Sequence, residues 1–146
     1  MKVRDIKEDD MSLLAKGLHK ASFFSSFVKS DFERIAQGFT VQDYDPGEVV
    51  FNVGEKGNSF YIVREGSVDV VKKKFGFISS VVASLGKLEF FGEMALVEKN
   101  NQRTATIKAG ASKASVYCLT SQNFASLFSD NPSFRRALKK ISESRK

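Results

Sequence analysis

Phe60-Tyr61-Ile62-Val63-Arg64-Glu65-Gly66-Ser67-Val68-Asp69-Val70 is the stretch from which the fold is read, two runs of aromatic and β-branched residues broken by one glycine. Such side chains suit a pleated, half-buried surface, and glycine reaches positive φ cheaply, so the stretch predicts two strands joined by a tight reversal. The pattern extends both ways. Between residues 40 and 120 it predicts strands near 41–44, 49–52, 60–64, 68–73, 77–83, 105–109 and 116–119. Gly47, Gly54, Gly57, Gly66, Gly76 and Gly86 punctuate them, a spacing that predicts a compact antiparallel β-roll, a jelly-roll-like barrel.

Helical periodicity flanks the roll. Met11, Leu14, Ala15 and Leu18 predict an amphipathic helix over 10–20, with Phe23, Phe24 and Phe27 as a hydrophobic anchor behind it. Ser30-Asp31-Phe32-Glu33 has capping-box spacing, and Phe32, Ile35, Ala36 and Phe39 supply the stripe of a second helix over 31–38. After residue 119 the helical period returns in Phe124, Leu127 and Phe128, then in Phe134, Ala137, Leu138 and Ile141, with Asn131-Pro132 as cap and first-turn proline. The expected class is therefore α+β. It comprises one domain over 1–146, with N-terminal helices in 1–39, the roll in 40–120 and C-terminal helices in 121–146.

Composition fits one domain with a real core: 146 residues, 42% hydrophobic and 27% charged. No apolar run approaches the ~20 residues of a membrane span, and Met1-Lys2-Val3-Arg4-Asp5 lacks a signal-peptide core, so a soluble, cytoplasmic protein is expected. The single cysteine, Cys118, lies among apolar neighbours and reads as a buried strand residue. With one histidine, His19, there is no set of clustered metal ligands, and neither metal nor cofactor is expected. The balance of 23 basic and 17 acidic residues, 23 − 17 = +6, favours anionic partners. Its basic groups (Lys72 to Lys74, Arg135-Arg136, Lys139-Lys140, Arg145-Lys146) accompany no nucleic-acid motif and read as solvated surface, so no nucleic acid polymer is expected as partner.

One segment carries chemistry: Phe91-Gly92-Glu93-Met94-Ala95-Leu96, followed by Arg103-Thr104-Ala105-Thr106. Gly92 lets backbone approach a ligand, and Glu93 opens a short helical run whose first N–H groups suit an anion. Arg103 adds a planar cationic fork matching phosphate oxygens, while ionised Glu93 can accept from a sugar hydroxyl. Phosphate and ribose would be read together.

In order, Asp45-Pro46-Gly47-Glu48-Val49-Val50-Phe51, Gly54-Glu55-Lys56-Gly57-Asn58-Ser59-Phe60-Tyr61-Ile62-Val63, Arg64 to Val70, and Leu85-Gly86 through Arg103-Thr104-Ala105-Thr106 resemble the cyclic nucleotide-binding domain family over nearly the whole chain. The resemblance implies that residues 91–106 are its phosphate-binding cassette, that Arg103 pairs with the cyclic phosphate, and that Glu93 accepts from the ribose 2′-hydroxyl. It implies a ligand-binding set of Gly92, Glu93, Met94, Ala95, Arg103, Thr104 and Ala105, with no catalytic residue. The glutamate-to-arginine interval, 103 − 93 = 10, is one residue longer than usual in kinase regulatory domains. The additional residue falls in Lys99-Asn100-Asn101, Gln102 stands where proline is common, and Leu88 replaces a frequent glycine.

Threonine after the arginine resembles the cGMP-preferring kinase pattern, because a hydroxyl at the pocket wall can accept from the guanine amino group. The resemblance thus implies a non-catalytic regulatory domain of a cyclic-nucleotide-dependent protein kinase, with cGMP favoured over cAMP and a kinase catalytic domain in the same or a partner chain. No kinase catalytic motif stands in this sequence. A cAMP-sensing regulatory subunit, a channel-gating module and a degenerate interaction domain share the features read so far. With five residues after Ile141, the DNA-binding helices of a catabolite-activator-like factor are not expected.

Overall fold

The computed structural model describes residues 1–20, 29–96 and 101–128. Among these residues, nine strands form two antiparallel sheets. The first has the order β1 (Lys2–Asp5), β2 (Phe39–Tyr44), β9 (Ala114–Thr120), β4 (Ser59–Glu65), β7 (Phe90–Phe91). The second runs β3 (Val49–Phe51), β8 (Thr106–Ala109), β5 (Val68–Lys74), β6 (Ile78–Leu85). Helices α1 (Glu8–Lys20), α2 (Lys29–Ala36) and α3 (Ser121–Phe128) complete the described chain, with a short 3-10 helix at Glu93–Leu96. The expected α+β roll with flanking helices is observed.

The central strands β4 and β9 explain why the sequence there reads as continuous apolar runs. Successive side chains on a strand point to opposite faces, and here both faces are covered. Phe60 and Ile62 of β4, with Tyr117 and Leu119 of β9, pack against Leu14, Leu18, Ile35, Ala36 and Phe124 of the helices. Tyr61 and Val63, with Val116 and Cys118, face Val68, Ile107 and Ala109 of the second sheet. The first sheet is thus a middle layer, and each of these large apolar side chains contributes about 1.5–3 kcal/mol by its burial. Cys118 is buried, and burial raises its thiol pKa.

Helix α1 sits close to this layer because Gly17 has no side chain: a Cβ there would lie 2.8 Å from Ile62 Cγ2. It also brings a carboxylate into the core. Asp10, 1% exposed, accepts from Arg64 Nε at 2.7 Å, from Tyr117 OH at 2.9 Å and from the Lys7 amide at 3.0 Å. Burial alone would raise its pKa; the hydrogen bonds and the Arg64 charge outweigh that and hold it below the ordinary value. The bond to Lys7 is the back-reaching half of a capping box, which places the helix start ahead of the expected residue 10.

Several other expectations need correction. The described part of α2 already includes Lys29 and Ser30, ahead of the expected residue 31. Strand β1 went unread because it is an exposed, mostly polar edge that gains order by pairing with β2 from Lys2↔Asp43 to Asp5↔Thr40. Strand β7, two residues long, is too short for any periodicity. His19 is exposed in the last turn of α1. The Phe23, Phe24 and Phe27 anchor, the Asn131-Pro132 cap and the final helix with Phe134, Ala137, Leu138 and Ile141 lie outside the described residues.

Candidate functional site

Strand β7 pairs with the edge of β4 through Tyr61↔Phe91 and Ile62↔Phe90, and Gly92 follows immediately. Gly92 has φ +77, and a Cβ there would meet both Arg103 Nη1 and Ser59 O at 2.9 Å. It is glycine for two reasons, conformation and space. The chain then enters the 3-10 helix Glu93–Leu96, where Ala95 N–H donates to Gly92 O at 3.2 Å. The expected short helix is present, in its tighter form. Gly92→Ala is expected to cost about 1–3 kcal/mol of stability and to weaken ligand binding with it, measured by denaturant unfolding beside nucleotide titration.

Arg103 reaches the same turn from the other side. Its backbone is fixed by a short ladder to the loop before β4: Gly54 N–H donates to Arg103 O, Arg103 N–H to Glu55 O and Gly57 N–H to Asn101 O, each at 2.8 Å. With this ladder in place the ten-residue interval leaves Arg103 at the turn, 103 − 93 = 10. Arg103 is 6% exposed; its guanidinium donates from Nη2 to Ser59 O at 2.7 Å and from Nη1 to Gly92 O at 3.3 Å, and lies 4.0 Å from the Phe51 ring centroid. Burial lowers its pKa from the usual value while Tyr61, Cys118, Glu93 and Glu55 oppose the shift. An arginine stays charged in proteins, so the direction registers the desolvation its cation bears.

A cavity of about 330 Å³ joins these parts. Gly92, Glu93, Met94, Arg103, Thr104 and Ala105 line it, together with the apolar Phe51, Val70, Leu85 and Ile107. Glu93 is 7% exposed. Thr104 is exposed in the bend before β8, which starts at Thr106, so this threonine stands outside the strand. Ala95 is the exception among the expected residues: it does not line the cavity, and its N–H is taken by Gly92 O. Larger hollows of about 420 and 910 Å³ lie beside Met11 and Phe39 and beside Tyr44 and Gly66, but neither is lined by a buried cation.

Sequence reasoning missed the residues that seat the arginine. Phe51 stacks on it, Ser59 supplies a carbonyl, and Gly57 leaves it room, since a Cβ there would lie 3.0 Å from Arg103 Cζ. Gly57 carried a signal, being one of the turn glycines; the other two carried none. Leu88, at φ +71, holds the turn in the left-handed conformation that glycine takes at lower cost, secured by its N–H donating to Val63 O at 2.7 Å. Among the described residues, no group of three or more His, Cys, Asp or Glu side chains could hold a metal ion. No helix among the described residues is long and apolar enough to cross a membrane.

A two-sheet roll with a glycine-opened turn, a buried arginine and a buried glutamate around one cavity defines a β-roll domain built for a small anionic ligand. The chain belongs to the cyclic nucleotide-binding domain family, whose match covers residues 41–131. It is 34% identical over 98 residues to a cAMP-dependent protein kinase regulatory subunit of Mycosarcoma maydis, a match covering 67% of this chain and 18% of that protein. It is 31% identical over 120 residues to the cGMP-dependent protein kinase egl-4 of Caenorhabditis briggsae, covering 82% of this chain and 16% of the relative. A regulatory domain of Toxoplasma gondii PKA, solved with cAMP, shares the fold with a TM-score of 0.75 at 23% identity, covering 84% of this chain and 46% of that one. The chain therefore spans less than a fifth of either curated relative's length.

Proposed function

We propose that this chain senses a cyclic nucleotide, cGMP in preference to cAMP, and relays binding as the non-catalytic regulatory module of a cyclic-nucleotide-dependent protein kinase, whose catalytic domain lies in the same or a partner chain. The observation that carries the reading is the buried Arg103 guanidinium, whose hydrogen bonds among the described residues go to two carbonyl oxygens, Ser59 O and Gly92 O. A desolvated cation whose hydrogen bonds go to neutral carbonyls gains from an anion that enters its cavity. The cyclic phosphate takes that place, with Glu93 accepting from the ribose 2′-hydroxyl and the backbone at Gly92 and Met94 completing the cradle. Ala95 must release Gly92 O for its own amide to join.

Relay follows from what the turn touches. The 3-10 helix packs against β4 and α3, and Phe124 of α3 is 1% exposed. A phosphate drawing Arg103 and Gly92 together shifts that turn, and α3 responds if one packing binds ligand more tightly than the other. The same module in a cAMP-sensing subunit is the second reading, favoured by the likeness to a cAMP-dependent kinase regulatory subunit.

Competitive titration with labelled cAMP and cGMP tests the proposal: saturable binding of both with cGMP tighter is expected, and a folded sample that binds neither would overturn it. Thr104→Ala is expected to reduce the cGMP/cAMP preference by about 0.5–1.5 kcal/mol, one hydrogen bond, while leaving phosphate capture intact. Equal loss for both nucleotides would locate base selection elsewhere.

A further inference from the structure

Away from the cavity, the tip of the β5–β6 hairpin sets two exposed aromatic rings beside a run of cations. Phe75 is 85% and Phe77 77% exposed, and they occupy the turn beyond the last pair, Lys74↔Ile78. Phe75 has φ 55, a left-handed conformation costly for a residue with a side chain, and Gly76 follows at φ 80. Lys72, Lys73 and Lys74 lie directly behind the tip and are exposed. From Val70 to Leu88 the sequence contains no aspartate or glutamate, and Lys87 adds a further cation.

We propose that this tip docks on an anionic phospholipid membrane surface, with Phe75 and Phe77 entering the interfacial region and Lys72, Lys73 and Lys74 meeting the headgroup phosphates. Lysine stems lie along apolar matter while their ammonium groups stay hydrated, an arrangement that a bilayer interface permits. A protein groove deep enough for both phenyl rings would strip water from three adjacent ammonium groups, at a cost unless each met a carboxylate. A turn of this size also falls far short of the roughly 800 Å² that a stable protein interface buries on each side, whereas a membrane needs only the rings and the charges. The surface is separate from the nucleotide site, since none of these five residues lines the cavity.

The chain contains no tryptophan, so Phe77→Trp places a single environment-sensitive reporter at the tip. The whole chain, mixed with vesicles of phosphatidylcholine containing about 30% phosphatidylserine, should co-sediment and shift its emission to the blue, and should do neither with phosphatidylcholine alone. Replacing all three lysines by glutamine should weaken binding about 100-fold, at about fivefold for each charge, and Phe75→Ser with Phe77→Ser should abolish the co-sedimentation. Unchanged melting and nucleotide titration would show that these variants are folded. Failure of the folded wild type to bind anionic vesicles overturns the proposal, as does binding without a blue shift that the phenylalanine variants leave intact. Self-association through the tip in place of vesicle binding would make the patch a protein interface and equally overturn it.

Discussion

Arg103→Ala is expected to weaken cyclic nucleotide binding by about 2–5 kcal/mol, or about 30- to 5,000-fold, because the phosphate would enter a desolvated cavity and find no counter-charge. The size follows from burial. Arg103 is 6% exposed, so water cannot replace its charge as it would at a surface ion pair. Arg103→Lys separates charge from shape: a lysine keeps the cation but lacks the fork that spans Ser59 O and Gly92 O, so its affinity should fall between the two. Calorimetric titration of both variants with cAMP and cGMP measures the loss, and thermal unfolding beside it detects any damage from the lost contact with Phe51. A folded Arg103→Ala protein with unchanged affinity would move the anion site away from this cavity.

The second large effect belongs to stability. Asp10→Asn should destabilise the fold by about 3 kcal/mol near neutral pH, because it leaves Arg64 partly buried without its carboxylate and weakens the bond from Tyr117. The lower end of the range for a broken buried pair applies, since Arg64 retains 17% side-chain exposure. The pH dependence has a fixed sign. The folded pKa of Asp10 lies below the ordinary 3.8, so the contribution is complete above that value and is lost as pH falls through the folded one. The stability difference between wild type and Asp10→Asn, followed by urea unfolding, should be level from about pH 5 to 8 and shrink below about pH 4. A difference that grew on acidification would mean that Asp10 is not held as the anion.

Much of this architecture is legible along the chain, for reasons that differ between its parts. The strands around Phe60–Val63 and Val116–Leu119 announce themselves because burial on both faces selects an unbroken apolar run. The turns at Gly66 and Gly76 do so because their backbones need positive φ. The segment holding Gly92, Glu93, Arg103 and Thr104 stood out because those residue types, close together, are the ones a phosphate and a ribose would require, and all four line one cavity. By contrast, β1 and β7 owe their structure to partners on other strands, and Leu88 holds its left-handed turn with no help from its own propensity.

Local residue patterns therefore specify the roll, helices on either side of it and the segment that lines the cavity, since each is encoded in neighbouring side chains that repeat, alternate or turn. What surrounds these segments comes from packing between distant parts of the chain. Arg103 finds Ser59 across 44 positions, Asp10 finds Arg64 across 54 and Tyr117 across 107, and Phe51 meets the guanidinium only when the sheets close. A bond between distant residues leaves no periodic trace in either segment, because its geometry is set by how the layers stack.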